Sequence, residues 1–321
     1  MKMKSNIAGG VDVKTKTKYK PDFRVLDNIW GYAFVLIPLI GLIVFVVIPL
    51  LMSLYASFTS WPLGQKITTA KWVGVKNYDT MFKNPLFWKS LGNTFYYMLG
   101  LPIGLILALM YASLMNRGTQ FEKTYRVLYY TPVITSIVAI SFVFQRLFMS
   151  DGGIVNNFLM KLGVDNPPNW LGHPAYTKWV IIIMAVWKGL GSSIILYIAG
   201  MQGISKTYYE AAKVDGANWW FTFRKITFPL LMPVTFYLLV TGIIGGAQMY
   251  VEPRLIFTAN GPANSTFTTV IHLYDSTFKN SKAGYGSAVA IILGIIVFVV
   301  TAIQFYINGR GERIEKSKAN T

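Results

Sequence analysis

A polar segment ahead of the fifth apolar stretch combines fixed charge with paired small residues. Glu210 and Asp215 flank Ala211 and Ala212, and Gly216 follows directly. Two adjacent alanines leave a smooth helix face on which another protein can pack closely, and the two carboxylates supply charge at its edge. The chemistry that this pattern offers is recognition of a protein surface.

The segment 205–226 predicts a helix–turn–helix outside the membrane. Ser205 suits the N-cap of a first short helix, and Gly216 permits a reversal of the backbone. Pro229 is expected to end the second, amphipathic helix before the next span. That helix carries Trp219, Trp220, Phe223 and Ile226. The same aromatic residues fit a helix that lies on the bilayer surface. Two interpretations therefore stay open: a segment that binds a partner protein, and a helix that lies on the membrane.

A single lysine, Lys188, interrupts the fourth apolar stretch. A lysine inside the hydrocarbon costs on the order of 2.5–3.5 kcal/mol, so such a residue faces a partner or a water-filled cavity. One alternative is a lysine that snorkels or pairs with a partner helix. The other is a lysine that lines a substrate path, where its ammonium group suits a carboxylate or phosphate.

Residues that could perform catalysis are sparse. The chain has no cysteine, His173 and His272 stand alone without a cluster of metal ligands, and no G-x-x-x-x-G-K-[ST] phosphate-binding motif occurs. No Asp or Glu lies within the apolar stretches, which disfavours a secondary transporter driven by protons or sodium. We therefore expect neither an enzyme nor a metal site, and any ATP must be bound by a partner.

The composition is typical of an integral membrane protein. Of 321 residues 53% are apolar and only 13% are charged, about half the share of soluble domains. The net charge of +17 is explained by Lys and Arg in the loops of a membrane protein, and no nucleic-acid-binding module accompanies it.

Apolar stretches predict six membrane-spanning helices. They lie within 30–58, 89–117, 126–146, 179–204, 227–251 and 283–308. Residues 1–29, 116–126, 205–226 and 309–321 carry 18 Lys and Arg in 75 residues, against 11 in 95 for the other loops. This bias places both termini in the cytoplasm. The polar segment 1–29, ahead of the first apolar stretch, is too long to be part of a cleavable signal peptide. We expect cytoplasmic tails at 1–29 and 309–321, around a transmembrane domain at 30–308.

Several motifs together resemble one protein family. The motif E-A-A-x-x-D-G-A begins at Glu210, and I-T-x-P-x-x-x-P begins at Ile226. The resemblance is to the permease subunits of binding-protein-dependent ABC importers, in the carbohydrate (maltose-type) branch, and extends over roughly residues 30–310. Further matching segments are Trp72-Val-Gly74, Asn77-Tyr78, Trp187-x-Gly189, Gly200-Met-Gln-Gly-Ile and Thr258-x-x-Gly261-Pro262. Asn260 and Phe142 depart from the residues usual in that branch.

The resemblance implies an all-α integral membrane protein with six transmembrane helices and a cytoplasmic coupling helix, the type I ABC importer permease fold. It also implies a heterodimer with a second homologous permease subunit, two ATPase subunits that bind ATP and Mg²⁺, and an extracytoplasmic solute-binding protein. By this resemblance, the residues that contact the ATPase are Glu210, Ala211, Ala212, Asp215 and Gly216. The chain itself would hold no cofactor and reside in a bacterial cytoplasmic membrane.

Substrate-path positions are likewise implied by the resemblance. They are Lys188, Gly189, Ser192, Ile243, Gly246, Ala247, Gln248 and Tyr250. The pair Gly245-Gly246 fits either room for a bulky ligand or close helix packing. With Lys188 in the path, we expect an acidic, uronate-containing oligosaccharide; the alternatives are a neutral oligosaccharide or a glycerol-phosphate-type substrate and, more distantly, a secondary transporter.

The loop after the fifth span offers a surface for the binding protein. Gly261, Pro262 and Asn264 form a turn-rich sequence that can reach outward. Glu252 and Arg254, on either side of a proline, are interpreted as paired with each other, in contact with the binding protein, or solvated.

Overall fold

The computed structural model describes residues 23–116, 122–257 and 259–319, and this part of the chain is almost entirely helical. The helices are α1 (Phe23–Leu42), α2 (Ile48–Ser57), α3 (Lys76–Lys83), α4 (Pro85–Met98), α5 (Gly100–Met115), α6 (Glu122–Ile134), α7 (Ile137–Leu147), α8 (Ile154–Lys161), α9 (Pro174–Gln202), α10 (Lys206–Val214), α11 (Trp219–Thr222), α12 (Phe228–Leu230), α13 (Met232–Ala247), α14 (Val251–Ile256), α15 (Thr269–Tyr274) and α16 (Ala283–Ala319). Two short antiparallel strands, β1 (Thr59–Ser60) and β2 (Lys71–Trp72), pair in register Thr59 with Trp72.

Contacts within the chain divide it into two units, residues 1–52 and 53–321. The described part of the first unit is one helical run, in which a π-helical segment (Ile43–Val47) follows α1. Its apolar side chains are largely exposed, among them Phe45. A helix that is apolar on all sides is typical of a segment surrounded by lipid or by other helices.

Four helical stretches are long and apolar enough to cross a membrane, and two further pairs of helices qualify if each bent pair counts as one span. The continuous stretches are Trp30–Ser57, Pro85–Met115, Pro174–Gln202 and Ala283–Gly309. The bent pairs are Val127–Ile134 with Ile137–Leu147, at 107°, and Trp219–Leu230 with Met232–Ala247, at 60°. The chain is a multi-pass membrane protein in which the third and fifth predicted spans are bent.

The bend in the third span has local causes. Pro132 lies inside α6 and removes a backbone donor from the helix. The hydroxyls of Thr131 and Thr135 donate to the carbonyls four residues earlier, at 2.7 Å each, a pattern that bends helices. Ser136 then takes an extended ψ of 131° before α7 begins. The third predicted span therefore bends between α6 and α7.

The centre of the second unit is the packing of α5 along α9. Ala108 and Ala112 are fully buried and lie in one apolar cluster with Ile194 and Tyr197. Small residues on α5 let the two backbones approach closely, as in many membrane helix pairs. Leu231, at the break between α12 and α13, is also fully buried in this cluster.

A second apolar cluster lies at the end of the bundle that carries α14 and α15, called here the α15 end. It joins Tyr97 of α4, Phe144 of α7, Ile181 of α9 and Ile256 of α14. The opposite end of the bundle carries α10 and is called the α10 end. Both ends are fixed by buried contacts in the second unit, so the loops at each end start from a rigid base.

Helices extend into both of the predicted cytoplasmic tails. Helix α1 begins at Phe23, inside the predicted tail 1–29, and α16 continues to Ala319, through the predicted tail 309–321. Residues 1–22, with their predicted lysine-rich tail, lie outside the described residues.

Candidate functional site

The segment between α9 and α13 begins as the helix–turn that the sequence predicts. Ser205 caps α10, and α10 ends in a Schellman turn. In this turn the N–H of Gly216 donates to the Lys213 carbonyl at 3.2 Å, and the N–H of Ala217 donates to the Ala212 carbonyl at 2.9 Å. Gly216 has a φ of +71°, a conformation that glycine adopts without a steric cost.

The second half of this segment differs from the prediction at Pro229. Helix α11 starts at Trp219, after the cap residue Asn218, and runs through a π-helical segment (Phe223–Thr227) into α12. Pro229 lies within α12, directly after the π-helical segment. The helix therefore continues past the proline and breaks at Leu231 instead.

Aromatic rings cover one side of this second half. Trp219 stacks on Phe223 with ring centroids 5.5 Å apart, and Trp220 stacks on the same ring at 6.0 Å. Trp219 and Trp220 are exposed, as is Phe221. Such an exposed aromatic face suits a bilayer surface and a protein surface alike, so the geometry is compatible with both alternatives.

A hollow with a volume of 1010 Å³ lies in the angle between α10 and α11. Four of the five predicted coupling residues line it: Ala211, Ala212, Asp215 and Gly216. The fifth, Glu210, is exposed and lies outside the lining. The remaining lining residues are Ser205, Thr207, Tyr208, Ala217, Asn218, Phe221 and Ile226. The arrangement offers a hollow with small residues and one carboxylate, suited to a protruding part of a partner protein.

A second cavity, of 330 Å³, lies between α4, α5, α9 and α13 and is called here the central cavity. Six of its lining residues are glycine, and only Tyr97, Ser193 and Glu252 bring polar side-chain groups. The full lining is Tyr97, Met98, Gly100, Leu101, Gly104, Leu105, Ala185, Val186, Gly189, Leu190, Ser193, Gly242, Gly245, Gly246, Met249 and Glu252.

The glycines of the central cavity serve two purposes. A Cβ at Gly189 or Gly245 would meet nothing within 4 Å, so these positions keep space open. A Cβ at Gly242 would lie 2.3 Å from Leu101, and one at Gly246 would lie 3.3 Å from a Met98 side-chain carbon. Within the pair Gly245-Gly246, the first residue therefore faces open space and the second packs closely against Met98.

The predicted path residues are divided by this geometry. Gly189 and Gly246 line the central cavity together, and the other six do not. Lys188 and Ile243 are half-buried, Ser192 and Gln248 are exposed, Ala247 is fully buried, and Tyr250 packs against Tyr274 with ring centroids 5.0 Å apart. On both helices the lining residues are neighbours of the predicted ones, such as Ser193 and Gly242.

Sequence reasoning did not single out Glu252 as a path residue. Arg254 does not pair with it, because its guanidinium group forms an ion pair with Asp275 and donates to the Asn260 side chain at 3.0 Å. Lys279 also lies 3.0 Å from Asp275. Helical periodicity does not link Glu252 to the glycines of α13, because α13 ends at Ala247 and Glu252 lies on the separate helix α14.

The loop between α14 and α15 is held in a strained conformation. Ala259, Ala263 and Asn264 have φ values of 57°, 51° and 55°, and Gly261 has 68°. Non-glycine residues rarely adopt this region, and each instance costs of order 1–3 kcal/mol. Pro262–Asn264 form a 3-10 turn, so the predicted contact residues lie on a shaped loop.

Side chains from the bundle hold this loop in place. The amide of Asn93 donates to the carbonyls of Asn264 and Phe267, at 3.0 Å each. The hydroxyls of Thr177 and Ser265 are 2.8 Å apart. These polar groups are buried, so the loop is fixed to the same helices, α4 and α9, that line the central cavity.

The two histidines occupy different environments. His173 is exposed and caps α9, while His272 is buried with its Nε2 3.2 Å from the Tyr285 hydroxyl. Burial lowers the pKa of His272 below its usual value, and the charge of Asp275 opposes this shift. In the part of the chain that the structure describes, no three His, Asp or Glu residues converge on a metal site.

Comparison with known proteins gives consistent matches. Residues 100–312 match the family described as binding-protein-dependent transport system inner membrane component. The chain is 36% identical to the probable ABC transporter permease protein YesP of Bacillus subtilis, over 87% of this chain and 90% of that protein. It is 35% identical to the lactose transport system permease protein LacF of Rhizobium radiobacter, with 86% and 93% covered.

Other matches extend the pattern. The arabinooligosaccharides transport system permease protein AraP of Bacillus subtilis is 31% identical, with 87% of this chain and 88% of AraP covered. A chain of a bacterial ABC transporter that imports the acidic polysaccharide alginate superposes with a TM-score of 0.76 at 22% identity, covering 90% of this chain and 98% of that one. A bacterial alginate ABC transporter in complex with its alginate pentasaccharide-bound periplasmic protein gives a TM-score of 0.78 at 22% identity. These superpositions show a shared ABC importer permease fold.

Proposed function

The chain belongs to the family of inner membrane components of binding-protein-dependent transport systems, and on that basis we propose that it forms half of the path by which an oligosaccharide enters the cell. It is a permease subunit of a transporter and not an enzyme. The observation that carries the proposal is the central cavity, which combines open glycine positions with a few polar groups between the spanning helices.

The saccharide is supported by the relatives and by the cavity. The names of two relatives specify lactose and arabinooligosaccharides. The central cavity, at 330 Å³, lies near the lower end of the usual range for small-molecule sites, about 300–1,000 Å³. A second permease that contributes a matching half would complete a site large enough for several sugar units.

The surface at the α10 end suits a partner protein that supplies the energy for transport. We propose that two ATPase subunits, which hold ATP and Mg²⁺, bind the coupling segments of this chain and of its partner permease. In this chain the hollow formed by Ala211, Ala212, Asp215 and Gly216 would receive the ATPase surface, with Glu210 at its edge. Closure of the ATPase pair then moves α10, and through the short segments 219–230 it moves α13.

This assignment also orients the chain. The α10 end faces the cytoplasm together with both termini, and the α15 end faces outward, in a bacterial cytoplasmic membrane. The solute-binding protein would dock at the α15 end, against the strained loop with Gly261, Pro262 and Asn264. A loop fixed by buried hydrogen bonds presents one shape to its partner, which reduces the ordering cost of binding.

Uptake by the assembled transporter tests the proposal. The complex is reconstituted in vesicles with its ATPase, partner permease and binding protein, and uptake of labelled oligosaccharide is measured. We expect uptake that requires both ATP and the binding protein. Uptake that persists without ATP would contradict an ABC importer.

The sequence also predicts an acidic, uronate-containing saccharide, with a neutral oligosaccharide or glycerol-phosphate-type substrate as alternatives. That prediction depends on Lys188, a half-buried residue outside the lining of the central cavity. Replacing Lys188 with alanine tests it directly: loss of uptake of an acidic saccharide supports the role of Lys188, and unchanged uptake removes it.

A further inference from the structure

Glu252 is the one charged residue among those that line the central cavity in the described part of the chain. The two other polar lining side chains are engaged with backbone. The Tyr97 hydroxyl donates to the Ser265 carbonyl at 3.4 Å, and the Ser193 hydroxyl donates to the Gly189 carbonyl at 3.3 Å. The hydroxyl oxygens of Tyr97 and Ser193 can still accept hydrogen bonds, but the Glu252 carboxylate is the one charged acceptor among the described lining residues.

No cation among the described residues neutralises this carboxylate. Arg254, two residues away, is bound to Asp275 and to Asn260. The described ion pairs that the chain forms involve Asp79 and Asp275, not Glu252. Lys188 lies outside the cavity lining. The Glu252 carboxylate therefore gives the cavity a net negative charge, in the first turn of α14.

A carboxylate in this position has a defined chemical preference. Its two oxygens accept hydrogen bonds from neighbouring hydroxyls of a sugar ring, and bonds to an ionised acceptor are about twice as strong as neutral ones. The same charge repels a carboxylate or phosphate on the ligand, and repulsion grows where the cavity excludes water. Glycine backbone on the remaining surface adds no opposing charge.

We propose that Glu252 determines the substrate charge of this permease, by accepting hydrogen bonds from the hydroxyls of a neutral oligosaccharide and by excluding uronates and sugar phosphates. This inference rests on the proposed oligosaccharide path. It predicts the opposite of the acidic substrate expected from Lys188, so one experiment separates the two.

The experiment uses the complete transporter with its own binding protein. ATP-dependent uptake is measured for a neutral oligosaccharide and for a uronate-containing one of equal length, both chosen because the binding protein binds them with similar Kd. Because the delivered ligands are matched at the binding protein, any change in preference between variants arises in the permease. The variants are Glu252→Gln, Glu252→Asp and, as a matched control, Asp165→Asn, which removes an exposed carboxylate.

We expect the unmodified transporter to take up the neutral saccharide at least about tenfold more efficiently. Glu252→Gln keeps the shape and removes the charge, so the KM for the neutral saccharide should rise about tenfold and the preference should fall below about threefold. Glu252→Asp should retain most of the preference, and Asp165→Asn should change neither value.

Two results would overturn the inference, and they differ in what else they remove. ATP-dependent uptake with a preference that Glu252→Gln leaves unchanged, or with a preference for the uronate, overturns the role of Glu252 and leaves the importer intact. Absence of ATP-dependent uptake of either saccharide overturns both the role of Glu252 and the proposed function.

Discussion

Single residues on α9 show how closely the helices approach. A Cβ at Gly191 would lie 2.2 Å from the Tyr129 carbonyl oxygen and 2.7 Å from Val133, whereas a Cβ at Gly189 meets nothing within 4 Å. Since backbone atoms of α6 cannot yield as a flexible side chain can, Gly191 is required by packing. Gly189, two residues away, is not.

This contrast gives a matched pair of substitutions. Gly191→Ala should lower the free energy of unfolding by about 1–3 kcal/mol, because it forces α6 and α9 apart. Gly189→Ala should change it by no more than about 1 kcal/mol and in the stabilising direction, because alanine is the better helix former. Thermal unfolding of the purified protein in detergent measures both, and equal effects would contradict the assigned packing.

Burial of His272 makes stability depend on pH. Its pKa is lowered in the folded state, so the unfolded chain takes up a proton first as the pH falls below about 6.5. Stability should therefore decline from that pH down to the folded-state pKa and then level off. As the pH is lowered, the melting temperature of His272→Gln should decrease less than that of the unmodified protein. The melting temperature of His173→Gln should decrease by as much as that of the unmodified protein.

Residue identities were harder to predict than residue types. Of the eight predicted path residues, Gly189 and Gly246 line the central cavity, and most of the others are neighbours of residues that line it. One position along a helix rotates a side chain by about 100°, so a family resemblance without coordinates can select the neighbouring face. Glu252 was missed because its apparent partner, Arg254, is bound to Asp275, which lies 21 residues further along the chain.

At the scale of elements, α10 exposes two faces of different character. Ala211 lies on the face that lines the hollow, and Val214 is 87% exposed outside it. If the hollow receives the ATPase, Ala211→Trp should reduce ATP hydrolysis stimulated by the binding protein at least about tenfold by steric exclusion. Val214→Trp adds the same bulk to the same helix and should leave stimulation within about twofold. Similar losses in both variants would contradict the assignment of this face.

The strained loop depends on one buried amide. Asn93→Ala removes the side-chain donor to the Phe267 carbonyl, and leaves the Asn264 carbonyl with only the Phe267 N–H at 3.4 Å. An unsatisfied buried group costs about 1–3 kcal/mol. Hydrogen exchange in residues 259–268 should accelerate, and stimulation by the binding protein should weaken. The exposed Asn157 supplies the control, since Asn157→Ala should alter neither. Unchanged exchange in Asn93→Ala would show that the loop is held by other contacts.

Helix boundaries were predicted where local signals dominate. The cap at Ser205 and the glycine turn at Gly216 occur as expected, because both follow from backbone hydrogen bonding within a few residues. The break at Leu231 and the bend near Ser136 did not follow from the positions of prolines alone. Leu231 is fully buried against α5 and α9, and such tertiary packing cannot be read from a local pattern.

For the whole molecule, apolar runs indicated six spans, and the described chain has four continuous spans and two bent pairs. Which residues line the cavity between these spans depends on contacts between residues that are distant in sequence. Because the chain has no cysteine, water access to the central cavity can be tested without background labelling of this subunit.

In the assembled transporter, Gly245→Cys should react with a water-soluble maleimide, since this position is open, and saturating saccharide should slow the reaction. The matched variant Ala247→Cys, at a fully buried position, should remain unlabelled. Equal labelling of the two variants would contradict a cavity that is lined by residue 245.

The glycine lining of the central cavity has an evolutionary consequence. Backbone atoms present the same chemistry whatever sugar passes, and glycines held by packing, such as Gly242 against Leu101, tolerate little change. If the central cavity is the saccharide path, a change of substrate acts through its few polar lining side chains, above all that of residue 252. A single base change converts a glutamate codon to one for glutamine or lysine. One mutation could therefore change which saccharide the transporter accepts, while the helical bundle stays the same.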